Sequence, residues 1–93
     1  MSVSIKKLSD DVFGVTVAKT STTTHTVTVT DQSLTDLTDN NVTKTHLLEF
    51  SFKFLLEREP NTSILSSFDI NVITKYFPDY RDEVRRWCNE SQN

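Results

Sequence analysis

The run Lys44–Glu59, KTHLLEFSFKFLLERE, restricts what this chain can fold into more than any other part of it. At about 100° per residue, Leu47, Leu48, Phe50, Phe52, Phe54, Leu55 and Leu56 spread over an arc of roughly 240°, far wider than the single apolar stripe of a surface helix. A helix of this kind must be covered on most sides, so the rest of the chain has to supply a layer on each flank. Only Glu49, Lys53 and Glu57, spaced four apart, are left for water, and they read as a solvated line with weak ion pairs. Thr43 is the natural N-cap. Pro60 cannot continue the helix and pushes Glu59 out of helical geometry, so the helix stops at Glu59.

One covering layer precedes this helix. Val3 and Ile5 alternate with polar residues, as do Phe13, Val15 and Val17 and then Val27 and Val29, which predicts three strands. The connectors Ser9–Asp11 and Lys19–Thr22 are short and polar and suit hairpins. From Asp31 onward the apolar spacing becomes helical. Asp31 is expected to cap a short helix carrying Leu34 and Leu37 that ends at the turn Asp39–Asn41. Beyond Pro60, Asn61 or Thr62 caps a short helical turn through Leu65. Asp69 caps a further helix with Ile70, Ile73 and Phe77 inside. After Pro78, Asp79 starts a last helix with Tyr80, Val84, Trp87 and Cys88 inside.

The fold expected is therefore α+β. A three-stranded antiparallel β-meander is followed by a long central helix and two to three shorter helices packed on one sheet face. With 93 residues there is material for one core, so the chain reads as a single domain over 1–93, strands about 2–30 and helices about 31–90. The pattern FLLEREP followed by SIL, FD and YFP resembles a group of small uncharacterised bacterial proteins with strands first and helices after. The resemblance covers roughly residues 43–82 and implies no function, cofactor or site.

Chemistry is sparse. A net charge of −3 and a pI near 5.2 oppose general binding to nucleic acid or anionic membranes, where Lys and Arg supply most of the affinity. No apolar run approaches the roughly 18 residues of a membrane span, and the N-terminal stretch has no signal-type apolar region, so a soluble cytoplasmic protein is expected. Gly14 is the only glycine, which excludes Gly-rich phosphate loops; it is expected to relieve a strand bulge or close packing. His25 falls on the core side of an edge strand and His46 in the first turn of the central helix, neither with a partner at ligand spacing. Cys88 is the only cysteine and lies on an apolar stripe, which predicts a buried, inert thiol. Glu57 and Glu59 point in different directions from one helix and do not form an acid–base pair. Arg58 is expected to reach the free helix carbonyls and a later carboxylate such as Asp69.

Two surfaces stand out as candidates. The sheet face turned away from the helices carries Thr16, Thr24, Thr26 and Thr28, with Ser4, Lys6, Gly14, Ala18, Thr22 and Thr30, and is short-chained and almost uncharged. Lys75, Arg81, Arg85 and Arg86 are the one local concentration of base, interleaved with Asp79, Asp82 and Glu83. The leading expectation is a small non-catalytic cytoplasmic module that binds another protein or self-associates, with no enzyme activity, cofactor, metal or membrane partner. The alternative is a nucleic-acid-binding regulator that uses the C-terminal helices.

Overall fold

The structure, a computed structural model, describes residues 2–91. Strands β1 (Ser2–Lys7), β2 (Val12–Ala18) and β3 (Thr22–Thr28) are followed by helices α1 (Asp31–Thr38) and α2 (Lys44–Arg58). A 3-10 turn (Asn61–Ser63), strand β4 (Ser67–Asp69) and helices α3 (Val72–Tyr76) and α4 (Tyr80–Ser91) complete the chain. Strands and helices share one core, in which Phe13, Val15, Val17 and Val27 of the sheet meet Leu47, Leu48, Phe52 and Leu55 of α2 and Tyr80 and Val84 of α4.

The expected α+β class is present, but the sheet is not a three-stranded antiparallel meander. β1, β2 and β3 do pair antiparallel in sequence order, and a fourth strand then pairs parallel with β3, giving the order β1-β2-β3-β4. β4 has three residues, too short for an alternation to register, and its Asp69 invites reading as a helix cap. Position rather than propensity makes it a strand. The register Val27↔Phe68 puts Phe68 on the core side, where its ring lies 6.3 Å from that of Phe52. β3 is accordingly an edge only over its first half.

Four local expectations also change. Asp69 does not cap α3; its Oδ1 accepts the Asn71 N–H at 2.8 Å and so holds the turn that leaves β4. The 3-10 turn ends at Ser63 and has no side-chain cap, because Pro60 occupies its cap position; Asn61 is its first residue, buried, with its Nδ2 donating to the Ser21 carbonyl and to Thr23. Thr30, not Asp31, caps α1: its Oγ1 accepts the Ser33 N–H at 3.1 Å, which leaves Asp31 in the first turn, where a carboxylate suits the helix dipole. The strand pairing runs without a bulge through Gly14, and a Cβ there would meet only the Leu8 side chain at an ordinary 3.6 Å. Gly14 thus relieves neither a bulge nor a clash.

α2 behaves as its breadth of apolar residues requires. Leu47, Leu48, Phe52, Phe54 and Leu55 are buried, Phe50 and Leu56 half-buried, and Glu49, Lys53 and Glu57 exposed. Thr43 Oγ1 caps it by accepting the His46 N–H at 3.1 Å, and Glu59 ahead of Pro60 is extended, with φ −137° and ψ 146°. α1 ends where Asp39 and Asn40 adopt left-handed φ values of 55° and 61°, a conformation these two residue types tolerate.

Lys44 joins three segments at this end of the molecule. Its Nζ donates to the Asp10 carbonyl at 2.9 Å, to Asp11 Oδ1 at 3.0 Å and to Asp31 Oδ1 at 2.8 Å, tying the β1–β2 hairpin and the start of α1 to the start of α2. The hydrogen bond from Lys44 holds the Asp31 carboxyl below its ordinary value, and the same bond raises Lys44 against the opposing cost of desolvation. Asp31 therefore contributes stability above about pH 4 that is lost as acid protonates it, and Lys44 contributes stability below about pH 10 that is lost as alkali deprotonates it. Lys44→Met is expected to lower the melting temperature by a few degrees near neutral pH. The gap from the parent should narrow toward both pH extremes in thermal melts. A gap independent of pH means that Lys44 acts through its aliphatic stem alone.

Candidate interaction surfaces

On the outer face of the sheet, pairing sets the side chains in rows. Ser4, Thr16 and Thr24 form one, and Lys6, Gly14, Thr26 and Ser67 the next. Val12, Thr28 and Asp69 make a third. Thr24 is exposed, and Thr16, Thr26 and Thr28 are half-covered by their neighbours in the sheet. Leu8, 55% exposed, lies over Gly14. Thr30, expected on this face, is committed instead to its role as the cap of α1. The four threonines singled out from the sequence therefore do form one surface, with Leu8 as an apolar addition at its border.

The basic residues do not share a surface in the same way. Lys75 is exposed on α3 and Arg81 on the first turn of α4. Arg85 turns toward the end of α1, with Nη1 3.9 Å from Asp39 and Nη2 donating to the Asp36 carbonyl at 3.5 Å. Arg86 is paired with Glu83 at 3.4 Å. Successive residues of a helix point about 100° apart, so Arg85 and Arg86 are divided between two sides of α4.

Arg58 acts where expected but with another carboxylate. Nη1 donates to the Phe54 carbonyl at 3.1 Å, the guanidinium carbon lies 3.6 Å from the Phe54 ring centre, and Nη2 reaches Asp79 at 3.2 Å. Asp69 is occupied at the β4 turn. Between α2 and α4 this corner opens into a groove of about 500 Å³, edged by Glu49, Lys53, Glu57, Glu83 and Arg86. Its apolar parts are already matched to one another: Phe50 and Trp87 stack with centroids 4.7 Å apart, and Arg58 lies over Phe54. The line Glu49, Lys53, Glu57, read as simply solvated, is one wall of this groove.

A second groove, of about 370 Å³, lies between the end of α2, β4 and α3. Its wall includes Leu55, Ile64, Leu65, Phe68, Ile73 and Tyr76, and Glu59 is its one charged lining residue. Leu65 is 48% and Tyr76 66% exposed. Nothing in the periodicity of residues 61–77 pointed here, because the groove depends on β4 being a strand.

Several buried polar groups are joined in structural networks, whereas the buried Thr74 Oγ1 has no hydrogen-bond partner among the described residues. His25 is 2% exposed; its Nδ1 donates to the Leu65 carbonyl at 2.8 Å, and its Nε2 lies 2.8 Å from Thr23 Oγ1. A carbonyl only accepts, so the ring proton is on Nδ1 and the Thr23 hydroxyl donates to Nε2. Asn61 then donates to Thr23 Oγ1 at 3.0 Å and to the Ser21 carbonyl at 2.9 Å. In the core, the Ser51 hydroxyl donates to the Leu47 carbonyl and accepts from the Tyr80 hydroxyl. Burial pushes the Tyr80 phenol well above its ordinary value, the bond with Ser51 opposing. Burial likewise raises the Cys88 thiol, with Asp39 adding and Arg85 opposing, so little thiolate is available for nucleophilic work. Among the described residues no cluster of three His, Cys, Asp or Glu side chains is placed to hold a metal ion, and no helix is long and apolar enough to cross a membrane.

Fold and surfaces together define a small α+β domain with an uncovered sheet face and two grooves on its helical side. Comparison of the chain with protein-family models, with curated proteins and with solved structures gives no match.

Proposed function

We propose that this protein is a small non-catalytic interaction module of the cytoplasm that binds another protein or a second copy of itself through the outer face of its sheet. The observation that carries the reading is the set of short, mostly uncharged side chains arranged in rows there, with Thr16, Thr24, Thr26 and Thr28 at its centre and the exposed Leu8 at its border. Such side chains lose little rotamer freedom on contact and leave room for close approach of a second surface. A single, buried cysteine suits a reducing compartment.

The test is the triple variant Thr24→Lys, Thr26→Lys, Thr28→Lys. These positions point away from the core, so the monomer is expected to keep its circular dichroism spectrum and to melt within a few degrees of the parent. Self-association in sedimentation, or capture of a protein partner after nuclease treatment, is expected to be lost. Association that survives three added charges removes this face from consideration. Nucleic acid recovered in its place makes the chain a regulator of the alternative kind.

A further inference from the structure

We infer that the groove between β4 and α3 receives an extended segment of another protein, which adds to the sheet as a strand beside β4 and places one large apolar side chain in the groove. Two independent observations meet there. The first is an open sheet edge. Thr26 N–H donates to the Ser66 carbonyl at 2.8 Å and Ile70 N–H to the Thr28 carbonyl at 2.9 Å, so the Ser66 carbonyl, the main-chain groups of Phe68 and the Ile70 N–H turn toward β3. In a parallel ladder the intervening residues turn theirs the other way, so Ser67 and Asp69 present donors and acceptors outward. Among the described residues no further strand pairs with that edge.

The second observation is apolar surface beside that edge. Leu65, Leu8 and Tyr76 are the large hydrophobic residues exposed among the described residues, and two of them, Leu65 and Tyr76, border this one groove. Phe68 reaches the groove from β4 itself. An added strand sends alternate side chains to the helical side of the sheet, and so into the groove, while its backbone pairs with Ser67 and Asp69. The larger α2–α4 groove offers no comparable free apolar surface, since its aromatic rings are stacked on one another or covered by Arg58.

Charge gives the occupant's chemistry. Glu59 is the one charged residue of the lining and is exposed. A segment bearing a Lys or Arg two residues from its large apolar residue projects both from the same face, the one into the groove and the other toward Glu59. The occupant is thus an extended, basic-apolar segment, bound through backbone pairing, one anchor and one ion pair.

The probe is a capped seven-residue peptide in which threonine alternates with valine, phenylalanine and lysine, titrated into the isotope-labelled protein and followed by amide chemical shifts. Saturable shifts are expected at Ser67, Phe68, Asp69 and Tyr76. Affinity should fall at least tenfold when the peptide amides facing β4 are N-methylated, when its phenylalanine becomes alanine, and in the protein variant Tyr76→Glu. Tyr76 is exposed, so that variant folds; Glu59→Lys should weaken this peptide and favour one carrying glutamate in place of lysine. The inference is overturned by absence of saturation at millimolar peptide, by equal binding of the N-methylated peptide, by shifts confined to the outer threonine face, or by a second copy of the chain occupying this edge in sedimentation.

Discussion

Phe52→Ala is expected to cost about 3–5 kcal/mol of stability, as large-to-small replacement of a buried aromatic residue does. A domain of this length has only about 5–14 kcal/mol in total, so the variant should melt some tens of degrees lower and be partly unfolded at 37 °C. The reason lies in the position of the side chain. Phe52 is fully buried in the middle of α2, with its ring centre 5.5 Å from that of His25 on β3 and 6.3 Å from that of Phe68 on β4, so it spans the junction of helix and both strands. The neighbours sit on paired strands and cannot close over the void. Phe52→Leu, which retains most of the volume, should lose far less. Chemical denaturation measures both; a loss under about 1 kcal/mol for the alanine variant would mean that α2 is not the central element.

His25→Leu is the second large effect, and a local one. The imidazole joins β3 to the segment leading into β4 by bonding the Leu65 carbonyl, and its other nitrogen completes the chain through Thr23 to Asn61. Leucine fills much of the space and satisfies none of these partners. Leaving part-buried acceptors and donors unpaired costs about 1–3 kcal/mol, and the cost falls on residues 61–69 rather than on the meander. Amide exchange is expected to accelerate at Phe68 and Ile70, whose N–H groups face β3, while Val15 and Val17 stay protected. Uniform acceleration would show that β4 is not a separable unit. The variant also bears on the proposed strand addition, since without an ordered β4 the peptide has no edge to extend.

The structure shows which parts of the fold were legible in residue order. The breadth of apolar residues over 47–56 required a helix covered on most sides, and α2 is one. The alternation through Phe13, Val15 and Val17 and the short polar connectors specified the hairpins of β1, β2 and β3. Thr43 as a cap and Pro60 as a stop are local chemistry, and both act at the ends of α2. The buried thiol of Cys88 followed from its place beside Val84 and Trp87 on one helical stripe. All these features depend on neighbours within about one turn or one hairpin, the range over which period and cap signals operate.

What residue order did not show depended on contacts made across the chain. Ser67–Asp69 becomes a strand because β3 leaves half an edge open and because Phe68 has Phe52 and Val27 to pack against; three residues have no period of their own. Lys44 meets Asp10, Asp11 and Asp31 only after the hairpin and α1 have been brought to the start of α2. Arg58 pairs with Asp79 because the start of α4 is brought beside the end of α2, whereas Asp69 lies in the outer-face row of the sheet with Thr28. The groove beside β4 exists for the same reason as the strand does. Local propensity thus determined the hairpins and the central helix with both its ends, while the fourth strand, the ion-pair partners and the grooves were decided by tertiary packing, which brings together groups whose separation along the chain conceals their complementarity.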